Sequence, residues 1–400
     1  MPPEFAAPIL YLDVEGGWGG SSRSLGLLAT HLDRQKVEPY VVLRRPGPSH
    51  DLYAAQGIAH ELLAGMPAFR PGSRKNGVSF GLFCLDWLRT ASIRQRLLTL
   101  IRERGIKLIH VNHEGLAPLG RWLARRAGIP WLCHLRNTYP DNMWSRGLYR
   151  LMSRADGFVY ISENERQHLM TLAGLATAPN NGEVIHNSAP DLSAAIEADS
   201  QFPTADEGLR VLVLANLDAE RGIDRVVDVA EELHRRGRDD VVFMVFGADS
   251  QPSRMWRQDF GQQLIDRIRT QNLANTVRLM GHTAHPERAL LAADVLFRPR
   301  RQNNPWGRDV IEGMAAGLPI IAMGEYEGFV ESGRGGFIEK QFTPTLIADR
   351  LLLLKDDAQL RAQMGTFNRK KASLLFDAKR NAQAVEALYE RILAAPAIQA

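Results

Sequence analysis

Short apolar runs of strand length recur along this chain, each followed by a stretch of helical periodicity. The series stops at a polar, acidic interval and then restarts. That alternation constrains the fold more than any other feature, because strands joined through helices pair in parallel, and a parallel sheet needs helices on both faces. In the first half the strand-like runs are residues 9–14 (ILYLDV), 41–45, 106–112, 129–136, 157–162 and 183–187. A glycine-rich loop at 16–20 follows the first run and opens a helical pattern that ends near Leu32. One long amphipathic helix is expected over 80–104 and another over 116–127. After the acidic stretch 189–208, strands are expected at 209–216, 241–247, 276–281, 294–299 and 319–323. Helices are expected at 222–235, 255–271, 284–292, 308–316, 344–355 and 378–393. The reading is two Rossmann-like, doubly wound α/β domains, 1–190 and 209–375, joined by a linker at 191–208 and closed by a last segment at 376–400.

Composition narrows the class of protein. The chain is 45% hydrophobic and 24% charged, and no apolar run approaches the ~20 residues that span a bilayer. Residues 1–8 carry no basic stretch followed by an apolar one, so no secretory signal is expected. The two cysteines, Cys84 and Cys133, sit in apolar stretches, which fits a reducing, cytoplasmic setting. The net charge of +4 is unevenly spread: residues 1–190 hold 22 Lys and Arg against 15 Asp and Glu. Between Arg70 and Arg154 the counts are 16 against 4. Such asymmetry points to an anionic partner. Nucleic acid is not expected, since no helix-turn-helix, zinc-ligand or aromatic RNA-binding motif is present. An anionic membrane surface or a phosphate-bearing acceptor fits, and so does an ordinary arginine-rich solvated surface.

The densest motif is 303–319, NNPWGRDVIEGMAAGLP. A polar residue leaves a strand, a Pro-aromatic-Gly turn follows, and a helix then places Glu312 about one turn in. Free N–H groups at a helix start favour a phosphate, and a carboxylate one turn further accepts bonds from ribose hydroxyls. Glu312 also stands four residues after Arg308, and spacing alone favours a simple ion pair between them.

This stretch resembles the signature of the retaining glycosyltransferases of family 4, in which two glutamates flank seven residues. Glu312 falls on the second glutamate and Asn304 on the first, where this chain departs from the pattern. Pro305, Trp306, Gly307, Met314, Ala315, Gly317 and Pro319 keep register, and Glu327, Gly333 and Gly336 extend the match. A second family hallmark grips the donor diphosphate through an arginine and a lysine. Here Asn216 replaces the first and Arg221, followed by Gly222, replaces the second. Arg221 begins a predicted helix, a poor place for a cation unless an anion is bound.

The resemblance implies the GT-B architecture: an N-terminal acceptor domain, a C-terminal donor domain, a cleft between them and a last helix crossing back. It implies a nucleotide-sugar donor, contacted by Gly19, Gly20, Asn216, Arg221, Gly222, Gly281, Trp306, Gly307, Arg308 and Glu312. Asn304, Glu312 and Arg136 would stand at the reacting centre, Arg136 where the family often has a histidine. No metal or other cofactor is expected, because no Asp-x-Asp motif ends a strand and Arg221 can take the departing diphosphate. His110 and His134 are read as core residues, and Ser21 and Ser22 as helix caps. The implied activity is retaining transfer of a sugar to a glycan or lipid-linked acceptor, in bacterial cell-surface polysaccharide synthesis, on the inner face of the membrane. The two asparagines leave open a non-catalytic partner in polysaccharide assembly, and the architecture leaves open a nucleotide-sugar epimerase.

Overall fold

The computed structural model describes residues 6–17, 19–69, 71, 76–192, 208–248, 260–283, 285–301 and 306–395. The chain forms two compact units, Met1–Ser188 with Asp377–Ala400, and Ala189–Phe376.

The first unit holds seven parallel strands: β1 (Ala7–Asp13), β2 (Val37–Leu43), β3 (Ala59–Leu62), β4 (Leu108–Val111), β5 (Trp131–Leu135), β6 (Gly157–Tyr160) and β7 (Gly182–Val184). Their order is β3-β2-β1-β4-β5-β6-β7, so the winding reverses between β1 and β4. Successive side chains of a strand point to opposite faces, and β1 shows it. Leu10 and Leu12 pack with Leu97, Leu100 and Leu123 on one face. Ile9 and Tyr11 pack with Leu25, Val385 and Leu388 on the other. The helices are α1 (Gly20–His31), α2 (Pro48–Ala55), α3 (Asn76–Arg89), α4 (Ala91–Glu103), α5 (Ala117–Ala127), α6 (Met143–Met152) and α7 (Glu163–Ala173). The C-terminal helix Ala378–Ala394 also covers this sheet, burying Ala382, Val385, Leu388, Tyr389 and Ile392.

The second unit repeats the plan with β8 (Leu209–Leu214), β9 (Val241–Phe246), β10 (Val277–Gly281), β11 (Val295–Arg298), β12 (Ile320–Met323) and β13 (Gly336–Glu339), ordered β10-β9-β8-β11-β12-β13. Its helices are α8 (Ile223–Arg235), α9 (Phe260–Thr270), α10 (Pro286–Ala292), α11 (Arg308–Ala316), α12 (Pro344–Asp356) and α13 (Ala358–Leu375); the C-terminal helix is α14. α8, α9 and α12 supply one apolar layer and α10 and α11 the other, while α13 gives Met364 to the first and Ala372 to the second.

The structure departs from the sequence reading in several places, and helices α2, α6, α7 and α13 were not expected from it. The single helix expected over 80–104 is two, α3 and α4, parted at Thr90, whose hydroxyl bonds the Asp86 carbonyl at 2.6 Å. Each sheet also gains a strand, β3 and β13, and both lie at an edge. β3 (AHEL) is half exposed and half polar, so it lacks the apolar run that marks an inner strand. The linker core 193–207 and the start of the helix expected at 255–271 lie outside the described residues. Among the described residues, no helix is long and apolar enough to cross a membrane.

Candidate functional site

In open α/β sheets ligands gather at the carboxyl ends of the strands where the order reverses. In the second unit that point lies between β8 and β11. The segment leaving β11 is stitched to the turn leading into α8. Gly222 sits at φ 74°, in the left-handed region, and a Cβ there would lie 2.1 Å from the Pro299 carbonyl oxygen. Only glycine meets both conditions. Arg225 donates to the Pro299 and Arg300 carbonyls at 3.1 and 3.2 Å, and the Arg301 N–H donates to the Glu220 carbonyl at 3.1 Å. Arg301 pairs with Asp224.

This stitching collects arginines. Arg221 closes a short 3-10 turn, Ala219–Arg221, and is exposed; among the described residues no hydrogen bond or ion pair holds its side chain. Arg300 feels both Arg221 and Arg298. Burial, with repulsion from those two, pushes its guanidinium down to about 10. The Asp309 and Glu220 carboxylates offset that push only in part. A half-buried cation beside two others favours a further anion, and a diphosphate is the anion that suits guanidinium groups. Arg298 and Arg300 escaped the sequence reading, which looked for basic residues only at the family's hallmark positions. The run RPRR at 298–301 was the available signal.

Arg298 itself is buried and committed. It pairs with Asp309, and its Nη2 donates to the Trp306 carbonyl at 2.9 Å. Gly307 is pressed into this pair: a Cβ there would lie 2.6 Å from Asp309 Oδ1 and 2.9 Å from both Arg298 terminal nitrogens. The clamp fixes the start of α11, whose observed bounds, Arg308–Ala316, are those expected from sequence. One turn in, Glu312 is buried, and its Oε1 accepts from Arg308 Nε at 2.9 Å and Nη2 at 2.6 Å. The i,i+4 pair is therefore formed. Trp306 is buried among the unit's own apolar residues, edge-on to Tyr326 at 5.1 Å. Asn216 is exposed and its amide oxygen accepts from the Ala248 N–H at 3.2 Å. Gly281 ends β10 with φ 73°. Asn304 lies outside the described residues.

The first unit has its own polar cluster where β1 and β4 meet. Asp13, fully buried, accepts from Ser22 Oγ at 2.8 Å, the Gly16 N–H at 3.0 Å and Asn112 Nδ2 at 3.0 Å. Ser22 is thus bound to the strand end, and Ser21 donates to Glu15 at 3.0 Å. Neither caps α1, contrary to expectation: its N-cap is Gly19, with no side-chain bond. Gly19 is small because the Glu15 carboxylate lies against it, 1.5 Å from where a Cβ would stand. That carboxylate beside Gly19 and Gly20 sits where the helix dipole favours an anion.

Arg136 is almost wholly buried. Its Nε donates to Asn112 Oδ1 at 2.9 Å and its Nη1 to Asn187 Oδ1, while Nη2 stands 3.3 Å from His134 Nδ1. A guanidinium only donates, so His134 Nδ1 accepts and its proton sits on Nε2. His110 Nε2 then donates to the same His134 atom at 3.1 Å, and His110 Nδ1 accepts from the Tyr389 hydroxyl at 2.6 Å. Burial, with the Arg136 charge, holds both histidines well below their ordinary range, so they are neutral. They are core residues, as read from the sequence. Among the described residues no group of three His, Cys, Asp or Glu side chains is placed to hold a metal.

Two family models match the chain in succession: Glycosyltransferase Family 4 over residues 18–189, and Glycosyl transferases group 1 over 196–371. No curated protein matches it in sequence. Among solved structures, Anabaena HepE in complex with UDP-glucose is similar with a TM-score of 0.76 at 20% identity, over 96% of this chain and 99% of that one. A glycosyltransferase from Rickettsia africae gives 0.76 at 15% identity, covering 98% and 100%. Sucrose-phosphate synthase from Thermosynechococcus elongatus gives 0.75 at 18%, covering 98% and 100%. At these identities the likeness is one of fold, and the fold is GT-B, as expected.

Proposed function

Because the chain belongs to the glycosyltransferases, its two halves matching family 4 and group 1 in turn, we propose that it moves a sugar from a nucleoside-diphosphate donor to a glycan or lipid-linked acceptor, with retention at the anomeric carbon. The observation that carries the reading is the junction of β8 and β11, where Arg221 and Arg300 gather beside the start of α11 and Glu312 stands one turn inside it. Arg221 and Arg300 hold the diphosphate. Glu312, oriented by Arg308, receives the ribose hydroxyls. Asn304 bonds a hydroxyl of the donor sugar. HepE, of similar fold, has been solved with UDP-glucose, which supports a nucleotide sugar as donor class.

In the reaction the bond from the anomeric carbon to the diphosphate breaks and its electron pair passes to the phosphate oxygen. The acceptor oxygen bonds the same face of the sugar, and its proton goes to the departing phosphate. Positive charge develops on the sugar and negative charge on the diphosphate, so preorganised guanidinium groups stabilise the transition state more than the ground state. No divalent metal is required, since two fixed cations stand in its place.

Purified protein incubated with a panel of nucleotide sugars tests the reading. The expected result is free nucleoside diphosphate, with the sugar on water or on an added acceptor in its original anomeric form by NMR. Binding without turnover of any donor would make the protein a non-catalytic partner. A new sugar still attached to its nucleotide would make it an epimerase.

A further inference from the structure

The helix pair that replaces the long helix over 80–104 divides the labour between core and surface. α4 covers the sheet, with Leu97, Leu100 and Ile101 buried. α3 does not. Along one side of it Val78, Leu82, Leu85 and Leu88 are 60, 57, 39 and 74% exposed. Their spacing of four, three and three residues makes a continuous stripe, about 15 Å long at 1.5 Å per residue. Soluble surfaces rarely display such a stripe without a partner.

Beside the stripe lies an apolar groove of about 510 Å3, floored by Phe83, Trp87, Trp122 and Leu151 from α3, α5 and α6. Arg121 and Arg125 line the same groove. Neither has a hydrogen bond or ion pair among the described residues. Partial burial and the nearby Arg154 and Arg125 push the Arg121 guanidinium below its ordinary range, with no carboxylate opposing them. Arg94 lies over the Trp87 ring at 4.5 Å, and Arg126 over Trp122 at 5.6 Å. Arg96, which the sequence groups with these, is instead neutralised by Glu61 and Glu103.

We propose that this face docks on an anionic bilayer: α3 lies in the headgroup region, a lipid chain enters the groove, and Arg121 and Arg125 hold the phosphate above it. The chemistry on the page selects this occupant. An apolar stripe bordered by arginines and tryptophans matches the graded polarity of a membrane interface. A second copy of the chain, joined about a two-fold axis, would set Arg121 and Arg125 against their own counterparts. The docking face lies in the first unit alone and is independent of which sugar is moved.

The full chain carries its own reporter. Cys84 lines the groove and is exposed, whereas Cys133 is buried, so an environment-sensitive thiol dye labels Cys84 selectively. Vesicles of phosphatidylcholine alone, and of phosphatidylcholine with phosphatidylglycerol, are the probes. Protein should sediment with the anionic vesicles and be released by salt, since exposed charges are screened over about 10 Å at 0.1 M. Dye on Cys84 should shift to the blue and be quenched by lipids brominated in the acyl chain. Leu82→Asp with Leu88→Asp, both at exposed positions, should abolish the dye shift, and Arg121→Gln with Arg125→Gln should weaken partition on the order of tenfold or more. Three results overturn the proposal. One is protein left in the supernatant with fully anionic vesicles at low salt. Another is partition with Cys84 quenched only from water. The third is a wild-type dimer in sedimentation velocity that the double Asp variant dissociates.

Discussion

Arg300→Gln should make the unliganded protein more stable and its nucleotide binding weaker, a pair of opposite signs that few explanations produce. Arg300 is charged in both folded and unfolded chains at neutral pH, but in the folded one its pKa falls from 12.5 to about 10. At about 1.4 kcal/mol per pH unit that is roughly 3 kcal/mol held against the fold, and water reaching the part-exposed group leaves about 1–3. A base with a depressed folded pKa carries this cost at every pH below that pKa, so the gain should be constant between pH 6 and 9. In a unit of this size each kcal/mol is worth about 2–4 °C in Tm. The same change removes a charge-assisted contact to the diphosphate, worth about 1.5–3 kcal/mol, or roughly 10- to 100-fold in Kd. Scanning fluorimetry reads the first effect, and calorimetric titration with UDP, ADP and GDP reads the second. Arg300→Lys keeps the charge and should show neither effect in full. A variant with unchanged or lower Tm and unchanged affinity for every nucleotide would refute the reasoning. Higher Tm with unchanged affinity would mean that the arginines meet something other than a diphosphate.

Glu312→Gln should weaken binding of the preferred nucleotide by roughly 1–3 kcal/mol, the scale of a hydrogen bond to a charged group; unchanged calorimetric affinity would remove Glu312 from the ribose and leave it only its pair with Arg308. Excess chelator should leave turnover intact, and complete loss restored by magnesium or manganese contradicts the arginine-only account of the leaving group. His110 and His134 are held neutral in the fold by burial and by the Arg136 charge, so the unfolded chain takes up their protons first. Stability is then complete above about pH 6.5 and is lost below it by about 1.4 kcal/mol per pH unit for each histidine. A Tm that stays flat from pH 7 to pH 5 would count against this. Tyr389→Phe removes the hydroxyl that bonds His110 and lies 2.9 Å from the Tyr11 hydroxyl; it should cost about 1–3 kcal/mol in the first unit, measured by urea unfolding.

Much of this molecule is written in local pattern. The inner strands β1, β4, β8 and β9 are short apolar runs because both their faces are covered, and that requirement is visible one residue at a time. α11 is bounded by Gly307 and Gly317, so its limits follow from neighbours in the chain. Edge strand β3 is covered less completely and carries a weaker pattern, whereas β13 is mostly buried but short and opens on a glycine; both became strands through their partners. The break at Thr90 has no proline or glycine to announce it; it arises because α4 must lie on the sheet while α3 does not. The candidate donor site divides the same way. Glu312 and Gly222 stand in motifs that fold locally, and their spacing marks them. Arg221 and Arg300 lie 79 positions apart in sequence. They become neighbours only because β11 pairs directly with β8, bringing the ends of two distant strands together where the winding reverses. Charge repulsion depends on distance in space, and only strand order sets that distance.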